Sequence, residues 1–179
     1  MKLHLGCSDE YREGWVNVDH LSPIADEHVN LASFPWPWED NVAEEVYLEQ
    51  VLEHFDRPEF VLREIHRVLA PGGTVHVITP HRDSVSACMI DHRAFFSRCF
   101  FETFTNPTHY WIKQHGDCWF EEVSYRVLII KKPWLKWTPF DWMASRYAMM
   151  WEKFSFGVFR PGEIIWIARK PRHNPSEVK

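Results

Sequence analysis

The sequence lacks several patterns that would assign it to a particular class of protein. Its four cysteines are scattered and have none of the spacings of a zinc motif, which fits a reduced cytoplasmic chain; they are Cys7, Cys88, Cys99 and Cys118. It has no apolar run long enough to cross a bilayer and no secretory signal. We therefore expect a cytoplasmic protein with no transmembrane segment and no metal site.

Glycine is also scarce, with seven in 179 residues, and the dinucleotide-binding pattern G-x-G-x-x-G is absent. Gly6 is followed by a polar loop whose next glycine is Gly14. Acidic side chains in this loop would repel a pyrophosphate; they are Asp9, Glu10 and Glu13. A ligand that carries a cation and a ribose fits the loop better than a dinucleotide does.

Two short apolar runs, Leu3–Leu5 and Trp15–Val18, flank this loop and are typical of buried strands in a parallel sheet. Nine residues separate them, fewer than a complete helical crossover needs. Gly6 lets the backbone approach a ligand, and Asp19, which closes the second strand, can accept hydrogen bonds from ribose hydroxyls. The pattern predicts a nucleoside site at the carboxyl ends of these strands.

The segment LHLGCSDEYREGWVNVD resembles the first motif and second strand of small class I S-adenosylmethionine-dependent methyltransferases of the type 11-like kind. The resemblance continues through FPWPWEDNVAEEVYLEQVLEHF and LREIHRVLAPGGTVHVITPH, and covers Lys2–His81. It implies an α/β, Rossmann-like methyltransferase fold. That fold has a mostly parallel seven-stranded sheet with an antiparallel C-terminal strand, and here the first crossover is shortened. It also implies S-adenosylmethionine as cofactor.

The resemblance assigns cofactor contacts to eight positions. Backbone around the amino-acid end of the cofactor comes from Gly6, Cys7 and Ser8, with serine where the family usually has its second glycine. Asp19 binds the ribose. Asn30 and Leu31 lie at the adenine, and Glu49 and Gln50 end the fourth strand, where Glu49 can neutralise the cofactor's positive charge.

Other elements follow from pattern. A short third strand is predicted at His28–Leu31 and a fourth at Glu45–Leu48. A helix should begin after Asp56 with Pro58 in its first turn, and end before Pro71. Further strands are predicted at Thr74–Ile78, Glu121–Lys131 and Glu163–Arg169.

Three histidines are candidate catalytic bases, because imidazole can exchange protons near neutral pH. His81 follows the fifth strand, and His54 follows the fourth. His92 lies in Asp91–Ser97, which resembles an Asp-x-x-His-x-Phe-Phe-Ser stretch beside the active site of related methyltransferases. The chain has eleven histidines, so a surface or structural role for each of the three remains the alternative.

The second half of the chain differs in charge from the first. Residues 1–69 carry 5 Lys/Arg and 15 Asp/Glu, whereas residues 70–179 carry 15 and 10, which suggests either an anionic partner or an ordinary solvated surface. Thr138 and Pro139 should begin a helix whose apolar face packs on the sheet; its members are Phe140, Met143, Tyr147, Met150 and Phe154. The alternative is a partner or membrane-surface patch that includes Trp134–Trp151.

We therefore expect one methyltransferase domain over residues 1–170, with 82–119 as an active-site insertion or lid and 171–179 as a flexible tail. The predicted activity is methyl transfer from S-adenosylmethionine to a small-molecule or glycan-type acceptor, at oxygen. The alternative is a non-catalytic cofactor-binding or partner-binding module with the same fold. Nucleic acid is not expected as a partner, because the net charge is −5.

Overall fold

The computed structural model describes residues 1–115, 118–128, 139–150 and 161–172. Its strands are β1 (Lys2–Leu5), β2 (Val16–Val18), β3 (Ala43–Glu49), β4 (Leu69–Pro80), β5 (Glu121–Leu128) and β6 (Glu163–Arg169). Its α-helices are α1 (Pro58–Val68), α2 (Arg98–Thr105), α3 (Tyr110–His115) and α4 (Pro139–Arg146). Short 3₁₀ turns lie at Leu52–His54 and Ser86–Cys88.

The six strands form one mixed sheet in the order β2-β1-β3-β4-β6-β5. Strands β2, β1, β3 and β4 are parallel to one another, and β6 runs antiparallel to both β4 and β5. This confirms the predicted Rossmann-like α/β fold with an antiparallel C-terminal strand. Within the described residues the sheet has six strands where seven were predicted, since no strand forms at His28–Leu31 and only a parallel bridge joins Val18 to the preceding Glu27.

Helix α1 packs on the sheet through an apolar stripe that contains Val61, Leu62, Ile65 and Val68. It begins one residue later than predicted, with Arg57 at the N-cap position and Pro58 in the first turn. At its other end the backbone becomes extended at Leu69 and continues directly into β4. The predicted helix is confirmed, and the strand after it is longer than Thr74–Ile78.

The centre of the core lies where α2 meets the C-terminal strands. Trp166 on β6 is fully buried, and its ring centroid is 4.9 Å from that of Phe101 and 5.5 Å from that of Phe120. Phe96 and Phe104 extend this aromatic cluster, and both are also buried. Part of the high aromatic content of the sequence therefore packs between α2 and the sheet.

A compact loop replaces the first crossover helix, and the buried Asn17 on β2 organises it. The Oδ1 atom of Asn17 accepts a hydrogen bond from the backbone N–H of Arg12 at 2.8 Å. Its Nδ2 group lies within hydrogen-bond distance of the carbonyl oxygens of Arg12 and Trp15 and of the Asp26 carboxylate. One amide side chain thus ties the loop between β1 and β2 to the segment after β2.

Beside Asn17, one face of the sheet carries a row of polar and aromatic side chains. His4, Tyr47 and His76 occupy matching register positions on β1, β3 and β4. The guanidinium of Arg12 lies 3.5 Å from the centroid of the Tyr47 ring, and Nδ1 of His4 lies 3.0 Å from Oδ1 of Asn17. The loop thereby covers part of the sheet face that a crossover helix would otherwise cover.

The buried position of His4 should make the free energy of unfolding depend on pH. Burial lowers the pKa of His4, so the folded chain keeps this imidazole neutral while the unfolded chain binds a proton near pH 6.5. Its contribution to stability is therefore present above about pH 6.5 and is lost as the pH falls, by at most about 1.4 kcal/mol per pH unit. In urea denaturation, the free energy of unfolding should fall less between pH 7.5 and pH 5.5 for His4→Gln than for the wild type. The variant His28→Gln, which removes an exposed histidine, should keep the wild-type difference.

Helix α4 is confirmed at the predicted start, but its packing face was predicted wrongly. Asp141 and Ala144 on this helix and Ala148 just after it are buried, whereas Met143, Tyr147 and Met150 are exposed. Small side chains allow close approach to β5, and the Ser145 hydroxyl accepts a hydrogen bond from the backbone N–H of Val127. Several residues named in the sequence-based hypotheses lie outside the described residues; they are Trp134, Trp137, Trp151, Phe154 and 173–179. None of the described helices has the length and apolar content needed to cross a membrane.

Candidate functional site

The predicted ligand loop lies at the carboxyl edge of β1 and β2, where the chain leaves the parallel sheet. The N–H groups of Gly6 and Cys7 both donate to the carbonyl oxygen of Val18, at 2.7 and 3.1 Å. The N–H of Ser8 donates to the Asp19 carboxylate at 3.1 Å. The structure therefore brings together four residues predicted from the sequence, Gly6, Cys7, Ser8 and Asp19.

Gly6 is required by both conformation and space. Its φ is +67°, in the left-handed region, and a Cβ placed there would lie 2.4 Å from Cγ2 of Val51. Val51 follows β3, so this contact joins the loop after β1 to the end of β3. Ser8 also has a positive φ of 48°, a conformation that costs a residue other than glycine about 1–2 kcal/mol.

The Asp19 carboxylate is held in place by three backbone donors. Its Oδ1 accepts from the N–H groups of Leu21 and Ser22, and its Oδ2 accepts from Ser8. Partial burial raises the pKa of Asp19, but these hydrogen bonds lower it more, so the group is ionised at neutral pH. A carboxylate oxygen can accept two hydrogen bonds, and Oδ2 is thus able to accept one from a ribose hydroxyl.

Glu49 and Gln50 end β3 beside this loop. The Tyr47 hydroxyl donates to the Glu49 carboxylate, and burial together with this bond raises the pKa of Tyr47. Gln50 has φ +53°, and its Nε2 lies 3.1 Å from Oε1 of Glu163 on β6. The Gln50 side chain is therefore directed toward β6. Glu49 follows Leu48, which pairs with Leu5, so its backbone lies next to the loop that follows β1.

Asn30 and Leu31 lie in the turn that follows the bridge at Glu27. The Oδ1 atom of Asn30 accepts from the N–H of Ala32 at 3.0 Å, and the Leu31 carbonyl accepts from Nε1 of Trp36 at 3.1 Å. Leu31 is buried in the core, whereas Asn30 is exposed. The backbone N–H of Asp19 donates to the carbonyl of Glu27, which connects the segment before this turn to the end of β2.

Cys7 is buried in the ligand loop, and burial, followed by the Asp19 charge, raises the pKa of its thiol. A neutral thiol is a weak nucleophile. The structure therefore supports a packing role for Cys7.

The three candidate histidines are not equivalent. His81, at the end of β4, is fully buried, and its Nδ1 accepts a hydrogen bond from the N–H of Asp83 at 3.2 Å. His54 and His92 lie together, with ring centroids 5.0 Å apart and planes nearly perpendicular. Two of the three residues thus share one location, and His81 holds the turn that leads toward them.

Glu53, which lies beside the two histidines, was not predicted as a site residue from the sequence. Glu53 is 1% exposed and its Oε2 accepts from the Thr79 hydroxyl at 3.0 Å. Burial raises the pKa of this carboxyl. Its backbone carbonyl accepts from Arg93 and Ala94, which fixes the insertion against the end of β3. The signal available in the sequence was the adjacent acid and imidazole in Leu-Glu-His at a strand end.

Asn17 and Val51 were missed as well, because each acts through residues distant in sequence. Asn17 shapes the loop that carries Ser8, and Val51 fixes the backbone of Gly6. Taken together, the edge has a backbone cradle, an ionised carboxylate for ribose and an acid for a cationic group. These features fit S-adenosylmethionine.

Comparisons with known proteins concern the fold and one segment of the chain. Residues 18–77, from the end of β2 through most of β4, match the family model described as "Methyltransferase domain". No curated protein matches the sequence.

Solved structures share the fold at low sequence identity. A SAM-dependent methyltransferase from Archaeoglobus fulgidus is similar with a TM-score of 0.62 and 15% identity, over 94% of this chain and 85% of that one. A chain from the complex between the Haloferax volcanii Trm112 methyltransferase activator and its methyltransferase gives 0.57 and 16%, over 96% and 82%. The [4+2]-cyclase SpnF gives 0.51 and 19%, over 82% of this chain but only 56% of the cyclase.

Proposed function

We propose that this chain, which resembles the class I S-adenosylmethionine-dependent methyltransferases in fold and in its 18–77 segment, binds S-adenosylmethionine and transfers its methyl group to a small acceptor. The observation that carries the proposal is the position of Asp19. Its ionised carboxylate is fixed at the carboxyl edge of two parallel strands. The adjacent loop has glycine at position 6, where a side chain would meet Val51. This is the place and the chemistry that a ribose requires.

Each part of the edge has a role in holding the cofactor, which when bound supplies a methyl group activated by a positively charged sulfur. The backbone at Gly6–Ser8 faces its amino-acid end, and Asp19 accepts from the ribose. Asn30 and Leu31 lie along the adenine. The Glu49 carboxylate, close to the same loop, attracts the cationic end of the ligand.

The acceptor is proposed to lie between the end of β3 and the insertion of residues 82–119. Methyl transfer is an in-line displacement, so most of the rate enhancement can come from holding the acceptor atom near the methyl carbon. Polar groups converge on this side of the edge at Glu53, His54 and His92. These polar groups can hydrogen-bond to a hydroxyl of the acceptor. They therefore favour a small-molecule or glycan-type acceptor that is methylated at oxygen.

Removing the Asp19 carboxylate tests the cofactor site directly. In isothermal titration calorimetry with S-adenosylmethionine, Asp19→Ala should bind about 1–3 kcal/mol more weakly, because the hydrogen bonds to the ribose are lost. Asp9→Ala is a matched control, since it removes an exposed acid from the same loop and should leave the affinity unchanged. Equal affinities for wild type and Asp19→Ala would contradict the assignment.

A non-catalytic module with the same fold is the second candidate. It is kept open by two features: serine with a positive φ at position 8, and a loop in place of the first crossover helix. A protein named as a [4+2]-cyclase shares the fold, so the fold alone does not fix methyl transfer. The two candidates differ in product. Formation of S-adenosylhomocysteine that depends on an added acceptor supports the methyltransferase, whereas cofactor binding without turnover across a hydroxyl-bearing acceptor panel supports the module.

A further inference from the structure

We propose that Glu53, His54 and His92 form a binding site for a divalent transition-metal ion beside the cofactor loop. The three residues come from the 3₁₀ turn after β3 and from the insertion after β4. Each offers one ligand atom, and the three atoms lie within 4.8 Å of one another. Metal bonds to imidazole nitrogen and carboxylate oxygen are about 2.0–2.2 Å long, so ligand atoms around one ion are about 3–4 Å apart. Small side-chain rotations therefore suffice to close this site on an ion.

The Glu53 carboxylate gives the first independent reason to expect a cation. Its side chain is almost completely buried, and Thr79 holds one of its oxygens. Within the described part of the chain, the other oxygen, Oε1, is buried and has no hydrogen-bond partner. A buried carboxylate with an unsatisfied oxygen is costly, and a bound cation would remove that cost.

The two imidazoles give the second reason. The Nδ1 atom of His92 is buried and, among the residues that the structure describes, has no hydrogen-bond partner. The Nδ1 atom of His54 lies 3.3 Å from the carbonyl oxygen and 3.4 Å from the carboxylate of Asp91. If Nδ1 of His54 donates to Asp91, its Nε2 carries the lone pair, which is the arrangement of an imidazole ligand oriented by an outer carboxylate.

The ligand set indicates the class of ion. Two imidazoles and one carboxylate suit Mn²⁺, Fe²⁺, Co²⁺ and Zn²⁺, and are a poor match for Mg²⁺ or Ca²⁺, which prefer oxygen ligands. Three protein ligands leave coordination positions open for water or a ligand oxygen. The site therefore has the composition of a reactive metal centre.

The metal site lies close enough to the cofactor loop to act in methyl transfer. This role of the metal rests on the proposed function. Val51, whose side chain meets Gly6 of the cofactor loop, is two residues from Glu53. An acceptor hydroxyl bound to the ion would lose its proton to water more readily. The resulting oxygen would use its electron pair to bond the methyl carbon, while the carbon–sulfur bond breaks and its electrons return to sulfur as a neutral thioether.

Metal binding can be measured without turnover. Purified metal-free protein is titrated with Co²⁺ and followed by visible absorption, with Mn²⁺ followed by electron paramagnetic resonance and Zn²⁺ by competition against Co²⁺. The wild type should bind one Co²⁺ per chain saturably. Glu53→Gln and His92→Gln should bind at least tenfold more weakly, and so should His54→Gln, whose exposed side chain can be changed with little risk to folding. His28→Gln, which removes an exposed histidine outside the cluster, is the matched control and should bind as the wild type does.

The proposal is overturned if folded wild-type protein shows no saturable binding of any of the three ions, or if the His54→Gln variant binds Co²⁺ as tightly as His28→Gln does. Circular dichroism establishes that each variant is folded. Titrating the same preparations with S-adenosylmethionine separates the two proposals. Cofactor binding without metal binding contradicts only the metal site, and metal binding without cofactor binding contradicts only the proposed function.

Discussion

Replacing Trp166 with alanine should lower the free energy of unfolding by about 3–5 kcal/mol, the largest effect that we expect from a single substitution. The indole is fully buried and contacts the rings of Phe101 and Phe120. It also stands opposite Val77 on β4 and Tyr125 on β5. Its removal would leave a cavity bounded by α2 and two strands, which the close-packed surroundings can fill only in part. Urea denaturation followed by circular dichroism measures the change.

Trp166→Phe is the matched control for this prediction. Phenylalanine keeps an aromatic ring in the cluster and removes the indole N–H, which is buried without a hydrogen-bond partner in the described part of the structure. The loss of that unsatisfied donor offsets part of the lost contact area. We expect Trp166→Phe to cost less than half as much as Trp166→Ala. Equal costs would show that ring contacts with Phe101 and Phe120 contribute little.

Replacing Asn17 with alanine should lower the free energy of unfolding by about 3 kcal/mol and should also weaken S-adenosylmethionine binding. The first effect arises because the part-buried N–H of Arg12 and the carbonyls of Arg12 and Trp15 lose their common partner. The second arises because this loop carries Ser8, whose N–H orients Asp19. Denaturation and calorimetric titration of the same preparation measure both effects.

Asn30→Ala separates this role from a general effect of removing an asparagine. Asn30 is exposed, and its Oδ1 accepts one local hydrogen bond from Ala32. Its loss should cost about 1 kcal/mol or less. If Asn17→Ala costs no more than Asn30→Ala, the interpretation of Asn17 as the organising residue of the loop is wrong.

The elements with strong local patterns were predicted closely from the sequence. The strand Glu163–Arg169 has the predicted bounds, and the helix at Pro58 has the predicted proline in its first turn. In both segments the residues that decide the structure are neighbours in sequence, namely alternating apolar side chains and a proline in the first turn. The shortened first crossover followed from the nine residues between Leu5 and Trp15, and it is confirmed.

Local pattern failed where packing partners decide the outcome. The strand predicted at His28–Leu31 does not form; the segment has a single bridge at Glu27, and the Asn30 side chain accepts a hydrogen bond within its own turn. Helix α4 turns its small residues inward, although hydrophobicity favours its methionines, because close approach to β5 requires small side chains. Periodicity identifies a helix, but it does not determine which face another element will accept.

The candidate site divides in the same way. Gly6, Cys7, Ser8 and Asp19 could be predicted because they lie in one continuous motif, and the structure brings them together through short hydrogen bonds. Glu53 could not, since its importance depends on His92, 39 positions later in the sequence. The use of His81 and His92 at an acceptor stays a prediction, with His81 now known to be fully buried.

The antiparallel end of the sheet has a consequence for how the chain folds. Strands β1 and β2 can pair after closing a loop of about ten residues, an event on the scale of about 10–100 ns. Strand β6 pairs with β4 only after a far longer segment has closed, since Pro80 stands opposite Glu163. Glu163 also holds the Gln50 amide at the end of β3. The largest entropy cost of chain closure therefore falls on the step that completes this end of the sheet.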